Sequence, residues 1–259
     1  MDTLQYHNSI YTSSKRQISP FRKLFPSASF YYNLFLIVYR ASWMAKRGDY
    51  DGQVWVKSSH NVLRELEKIG VQIEITGIEH VIEHNRPAVI IGNHMSMMET
   101  LLLPVMIRPV INVTFVIKES LLHYPVFKYV MRSRNPVAVG RTNPREDLKT
   151  VMTQGVERLG NGTSVIVFPQ TTRAQIFDSK QMSSIGVKLA KKADVSVIPL
   201  ALKTDAWKNG TIFKDFGRID KNLIARFAFG EPLKVSGRGN EEHRAINDFI
   251  AGKLSEWED

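Results

Sequence analysis

Between Val71 and Gly230 the chain carries a series of short apolar runs, and these constrain its fold more than any other feature. PAVIIGNH (Pro87–His94), NVTFVI (Asn112–Ile117), PVAV (Pro136–Val139), SVIVF (Ser164–Phe168), VSVIPLAL (Val195–Leu202) and ARFAFG (Ala225–Gly230) are brief and nearly continuous. Runs of this kind belong to strands buried on both faces. VQIEIT (Val71–Thr76) alternates instead, as a half-buried strand does, and stops at Gly77. Helical spacing fills the intervals at Glu99–Val105, Pro125–Arg132, Pro144–Leu159, Ser183–Ala193 and Glu241–Trp257. An earlier helical stretch, Gln53–Ile69, places Val56, Val62, Leu63, Leu66 and Ile69 on one face and closes at Gly70, a C-terminal cap. Buried strands alternating with helices predict an α/β fold, a single domain whose central mixed, largely parallel sheet is flanked by helices. Neither an internal repeat nor a low-complexity linker interrupts the pattern.

The N-terminal part reads differently. Residues 1–20 are polar, without the apolar core of a secretory signal, and are expected to form a flexible arm. Residues 21–70 are expected to form an amphipathic two-helix membrane-docking segment, and residues 71–259 the α/β domain. The densest apolar stretch, FYYNLFLIVY (Phe30–Tyr39), is ten residues long, against the roughly 20 needed to span a bilayer. Its makeup suits a helix lying in an interface: Phe25, Phe30, Tyr31, Leu34, Phe35, Val38, Tyr39 and Trp43, flanked by Arg22, Lys23, Arg40, Lys46 and Arg47. A buried packing helix with a solvated basic rim is the alternative.

Charge narrows the partners. The 259 residues include 35 Lys and Arg against 25 Asp and Glu, a formal net charge of +10. Seven basic residues against the single acid Asp2 fall in Met1–Arg47, so six of those ten charges sit there. Such an excess favours nucleic acid, an anionic membrane surface or phosphorylated substrates. The basic residues show no interleaved aromatics and no nucleic-acid-binding module, so nucleic acid is not expected as a partner. Cysteine is absent, which excludes disulfides, thiolate catalysis and cysteine zinc sites. The histidines are scattered without metal-ligand spacing, and no metal is expected. Ser96 lacks the G-x-S-x-G elbow and is given no nucleophilic role. Gly237 and Gly239 form a G-x-G fragment without the strand–helix frame of a nucleotide site.

Chemistry gathers where apolar runs end. GNHMSMMET (Gly92–Thr100) delivers His94 at the end of one run, where ligands bind in open α/β sheets. Glu99 lies five residues on, about 140° away on a continuous helix. The pair can meet if His94 precedes the helix and Glu99 lies in its first turn. The carboxylate then takes one imidazole N–H and leaves the other nitrogen as a general base. FPQTTR (Phe168–Arg173) ends another run, and Thr171, Thr172 and Arg173 can bind an oxyanion or phosphate. VGRTNPRED (Val139–Asp147) places Arg141 after a third run, with Thr142 or Asn143 as cap of the next helix. Each motif alone also fits an ordinary structural role: a satisfied histidine at a strand end, a turn with a surface arginine.

Together the motifs resemble the glycerophospholipid acyltransferase family, in particular its 1-acyl-glycerol-3-phosphate acyltransferases. The resemblance runs in order over Val71–Leu202, about half the chain. The family's N-H-x-x-x-x-D is matched by Asn93, His94 and Glu99. Its second block is matched by KESLLHYPVFKYVMRSRNPVAVGR (Lys118–Arg141), its F-P-E-G-T-R by FPQTTR, and its V-P-type strand by SSIGVKLAKKADVSVIPLAL (Ser183–Leu202). The resemblance implies transfer of a fatty acyl group from acyl-CoA or acyl-carrier protein to the free hydroxyl of lysophosphatidic acid, giving phosphatidic acid. His94 would be the general base and Glu99 its orienting partner. Lys118, Arg141, Gln170, Thr171, Thr172 and Arg173 would hold the acceptor, with no cofactor beyond the acyl donor. It also implies peripheral or monotopic attachment to the cytoplasmic face of a membrane. Three departures stand out: Glu99 for Asp, Gln170 for Glu and Thr171 for Gly. They leave another lysophospholipid or hydroxylated lipid open as acceptor. A catalytically silent lipid-binding protein fits less well, because it has no chemical reason to keep both His94 and Glu99.

Overall fold

The computed structural model describes residues 4–13, 17–170, 172–211 and 213–258. In chain order these form β1 (Tyr11–Thr12), α1 (Pro20–Leu24), α2 (Pro26–Arg47), α3 (Gly52–Lys68), β2 (Gln72–Thr76) and α4 (Glu79–His84). There follow β3 (Val89–Gly92), α5 (Met98–Ile107), β4 (Asn112–Lys118), α6 (Phe127–Ser133), β5 (Val137–Val139) and α7 (Pro144–Gly160). The chain closes with β6 (Thr163–Val167), α8 (Ile185–Ala193), β7 (Val197–Lys203), β8 (Ile224–Phe229) and α9 (Asn240–Glu256).

The strands join one eight-stranded sheet in the order β1-β2-β8-β7-β3-β6-β4-β5. β1 runs antiparallel to β2 and β7 to β8, while the other neighbours are parallel. This is the mixed, largely parallel sheet expected from the apolar runs. Alternate residues of the central strands enter opposite layers. Ile90 and Ile166 pack on one side with residues of α2, α3 and α5. Val89, Ile91, Val165 and Val167 pack on the other with residues of α7, α8 and α9. Both faces are covered, which is why these strands read as unbroken hydrophobic runs. Gly77 closes β2 at φ +72, where a Cβ would stand 2.0 Å from the Phe229 carbonyl oxygen; only glycine fits this turn.

Within the segment expected as a flexible arm, residues 4–13 are built onto the sheet. Tyr11 and Thr12 pair with Ile75 and Glu74, and the Ser13 hydroxyl accepts from Ile73 N (3.0 Å) and donates to Glu67 (2.8 Å). Leu4 is buried. The physical reason is that β2 would otherwise present an unpaired edge.

Helix α2 has two apolar faces. Phe30, Leu34, Val38 and Ala41 are buried in the core, whereas Tyr32, Phe35, Leu36, Tyr39 and Trp43 are exposed on the opposite side. The buried face is that of the packing helix read from the sequence, and the exposed face carries most of the aromatic residues of the interfacial reading. Phe30 meets Trp207 edge-on at 4.9 Å, and Tyr31 contacts both Trp207 (5.8 Å) and Phe216 (5.5 Å). The Ser27 hydroxyl accepts from Ile219 N. These contacts tie α2 to the long connection between β7 and β8. Among the described residues, no helix is long and apolar enough to cross a membrane.

Candidate active site

Three neighbouring parallel strands, β7, β3 and β6, bring the site together at their carboxyl ends. β3 leads into Asn93 and His94, β6 into Phe168–Arg173, and β7 into Thr204. Asn93 clamps the first two strand ends through paired bonds, donating to Leu202 O (2.8 Å) and accepting from Leu202 N (2.9 Å). His94 is fixed at its backbone by the β6 loop. Its N–H donates to Gln170 Oε1 (2.5 Å), and its carbonyl accepts from Ala174 N (2.9 Å). Its ring stacks on Phe168 with centroids 4.6 Å apart and planes 6° from parallel.

His94 lies before α5 and Glu99 is the second residue of that helix, the arrangement under which a five-residue spacing lets them meet. His94 Nδ1 and Glu99 Oε2 are 2.6 Å apart. The carboxylate accepts, so Nδ1 carries the hydrogen, and in the neutral ring Nε2 is the nitrogen with the free lone pair. Glu99 is completely buried. Its Oε1 accepts from Met95 N (2.9 Å), Ser96 N (2.8 Å) and the Thr204 hydroxyl. A buried carboxylate is tolerated only when bonded in this way.

His94 and Arg173 line one largely apolar cavity together with Asp215. Arg173 forms an ion pair with Asp215 and donates to Asn209 Oδ1 (3.3 Å) and Lys214 O (3.4 Å). Asn209 in turn donates to Met95 O (2.9 Å), joining this connection to the His94 turn. Away from His94, aromatic rings mark a continuous path: Phe168 to Phe115 at 6.3 Å, then Phe115 to Trp55 at 6.2 Å. The path ends where the Arg134 guanidinium lies over the rings of Trp55 and Tyr50, at 5.3 Å from each. Burial lowers the Arg134 pKa from its ordinary value and pushes the Tyr50 hydroxyl up to about 12. Ile37, Val38 and Ala41 of α2 form part of the wall.

The structure therefore joins His94, Glu99, Gln170 and Arg173. Gln170, expected among the acceptor-binding residues, is 3% exposed and has its oxygen on His94 N, so it holds the turn of His94. Thr172 is exposed, with Lys214 Nζ 3.4 Å from its hydroxyl; Thr171 lies outside the described residues. Lys118 and Arg141 stand at the ends of β4 and β5, exposed and off the cavity. For Arg141 strand order is the reason. β5 is three strands from β3, about 14 Å at the usual spacing. Asn143, one of the two expected caps, caps α7 through Arg145 N and Glu146 N. Thr204 and Asp215 escaped the sequence reading, since neither belongs to a motif or a periodic stretch, while Ser96, inside the Gly92–Thr100 motif, was considered only as a nucleophile.

The family model for acyltransferases matches residues 72–203, just over half of the chain, and the chain belongs to that family. It is 33% identical over 132 residues to the 1-acyl-sn-glycerol-3-phosphate acyltransferase of Pseudomonas aeruginosa, covering 51% of this chain and 49% of that protein. It is 27% identical over 135 residues to the protein of that name from Borreliella burgdorferi, covering 51% and 52%. The chain thus spans about half the length of the curated relatives it matches. The crystal structure of the 1-acyl-sn-glycerophosphate (LPA) acyltransferase PlsC from Thermotoga maritima superposes with a TM-score of 0.62 at 22% identity, over 91% of this chain and 96% of that one. At that identity the likeness establishes a shared fold.

Proposed function

We propose that the protein acylates the free hydroxyl of lysophosphatidic acid with acyl-CoA or acyl-carrier protein as donor, giving phosphatidic acid. The observation that carries this reading is the His94–Glu99 pair at 2.6 Å, with Arg173 on the same cavity. The acceptor hydroxyl gives its proton to His94 Nε2 as its oxygen attacks the thioester carbonyl. Collapse of the tetrahedral intermediate breaks the carbon–sulfur bond, and the leaving thiolate takes the proton back from His94. Glu99 stabilises the imidazolium between these steps. Arg173 binds the acceptor's phosphate, with Lys118 and Arg141 adding positive potential along the same edge. The apolar path from His94 to Trp55 accommodates an acyl chain. The names of the two bacterial relatives support this substrate class.

The exposed stripe of α2 with Arg40, Lys46 and Arg47 docks on an anionic membrane surface at the cytoplasmic face. Each basic residue near such a surface contributes about 1 kcal/mol. A second acceptor reading has its own support. Arg173 is already paired with Asp215, which partly neutralises it and suits a lyso-lipid other than a phosphate monoester. Acyl transfer over a panel of lyso-lipids, run with wild type and His94→Ala, decides both points. Loss of about 10²–10⁴-fold in the variant with unchanged folding is expected. Undiminished turnover removes His94 as base, and a strong preference for an acceptor without a phosphate monoester favours the second reading.

A further inference from the structure

Thr204 lies one residue beyond the segment matched by the family model, at the end of β7. It is fully buried, as are Glu99 and, within one per cent, Ser96. Hydrogen bonds run through these residues in one direction. Met98 N donates to Ser96 Oγ (3.1 Å), Ser96 Oγ donates to Thr204 Oγ1 (2.9 Å), and Thr204 Oγ1 donates to Glu99 Oε1. The chain starts at a backbone N–H, which can only donate, and ends at a carboxylate facing His94. Each hydroxyl proton therefore has one orientation. Such chains polarise and strengthen their members.

We infer that Thr204 is a positioning residue for the catalytic pair, setting the Glu99 carboxylate so that Oε2 meets His94 Nδ1. Met95 N and Ser96 N also bind Oε1, but both belong to the turn that carries Glu99 itself. Among the described residues that donate to Oε1, Thr204 alone comes from another strand, so it refers the carboxylate to the sheet that also carries His94. Glutamate makes this anchor necessary. Compared with the aspartate of the family motif it has one more methylene and one more torsion to restrain. Threonine suits the task because its branched Cβ restricts the hydroxyl's rotamers. Valine has nearly the same shape and lacks only the hydrogen bond.

This inference rests on the proposed acyl transfer with His94 as base, and its test separates the two. Steady-state transfer from acyl-CoA to lysophosphatidic acid is measured for full-length wild type, His94→Ala, Thr204→Ser, Thr204→Val and Ser96→Ala, with melting temperatures alongside. Thr204→Ser is expected within about twofold of wild type. Thr204→Val is expected to lose about 10–100-fold in kcat, by analogy with the outer-shell partners of metal-bound histidines, with KM changed less than about twofold. Ser96→Ala breaks the chain one link upstream and is expected to show a smaller loss of the same kind, which keeps the test open if the valine variant misfolds. In a Glu99→Gln background the orientation of Nδ1–H is already lost, so Thr204→Val is expected to cost little more. Undiminished kcat in folded Thr204→Val, or an equal loss in the Glu99→Gln background, overturns the inference while inactive His94→Ala leaves the acyl-transfer reading standing. Fully active His94→Ala overturns that reading itself.

Discussion

Gln170 shows how a residue drawn from a binding motif can serve the base instead. Its oxygen takes the N–H of His94, and Gln170 itself is buried. Gln170→Leu removes the acceptor from the His94 N–H and is expected to cost about 1–3 kcal/mol, read as a lowered melting temperature. Gln170→Glu keeps an acceptor in place and is expected to retain most of that stability; an equal loss in both variants would show that the amide nitrogen matters too. At this scale the sequence was informative where chemistry repeats in a motif. His94, Glu99 and Arg173 announced themselves by residue type at the ends of apolar runs. Thr204 and Asp215 could not, because a single threonine or aspartate in aperiodic chain carries no signal until the fold sets it beside a partner. Arg141 shows the limit from the other side. It follows a strand end as His94 does, but its distance depends on strand order, which local pattern does not encode.

Among the elements, α5 carries both Glu99 and an internal proline, Pro104. Proline disturbs the helical ladder around it. Ser59 of α3 repairs the damage, donating to Leu101 O (2.6 Å) and accepting from Val105 N (3.0 Å), the two groups that an unbroken helix would join directly. Ser59→Ala leaves both short of a partner and is expected to destabilise the fold by about 1–3 kcal/mol, measurable by denaturant unfolding. An unchanged midpoint would mean that the helix closes its own ladder once the hydroxyl is gone. Many elements were legible in the sequence: β3, β5, β6 and β7 as continuous apolar runs, α7 through its cap and first-turn Pro144. β1 and α4 were not. β1 has two residues and α4 six, too few to establish a period, and both owe their form to neighbours already in place.

For the whole molecule, the aromatic stripe of α2 and the core behind it make separable predictions. Replacing Phe35, Tyr39 and Trp43 by serine is expected to abolish binding to anionic vesicles while the melting temperature holds, because all three are exposed. Vesicle binding retained by that triple variant would move the docking surface elsewhere. Phe30→Ala, on the other face, is expected to cost about 3–5 kcal/mol through the cavity left against Trp207. Removal of residues 1–47 therefore tests folding more than docking. The two faces also constrain how this region can change over generations. Each residue of a helix advances the next by about 100°, so one inserted residue near Tyr32 would turn everything after it by that angle. Val38 would swing out of the core while Trp43 swung towards it. Substitution along α2 can be gradual, but its reading frame of faces cannot slip, and homologous helices should vary in composition far more freely than in length.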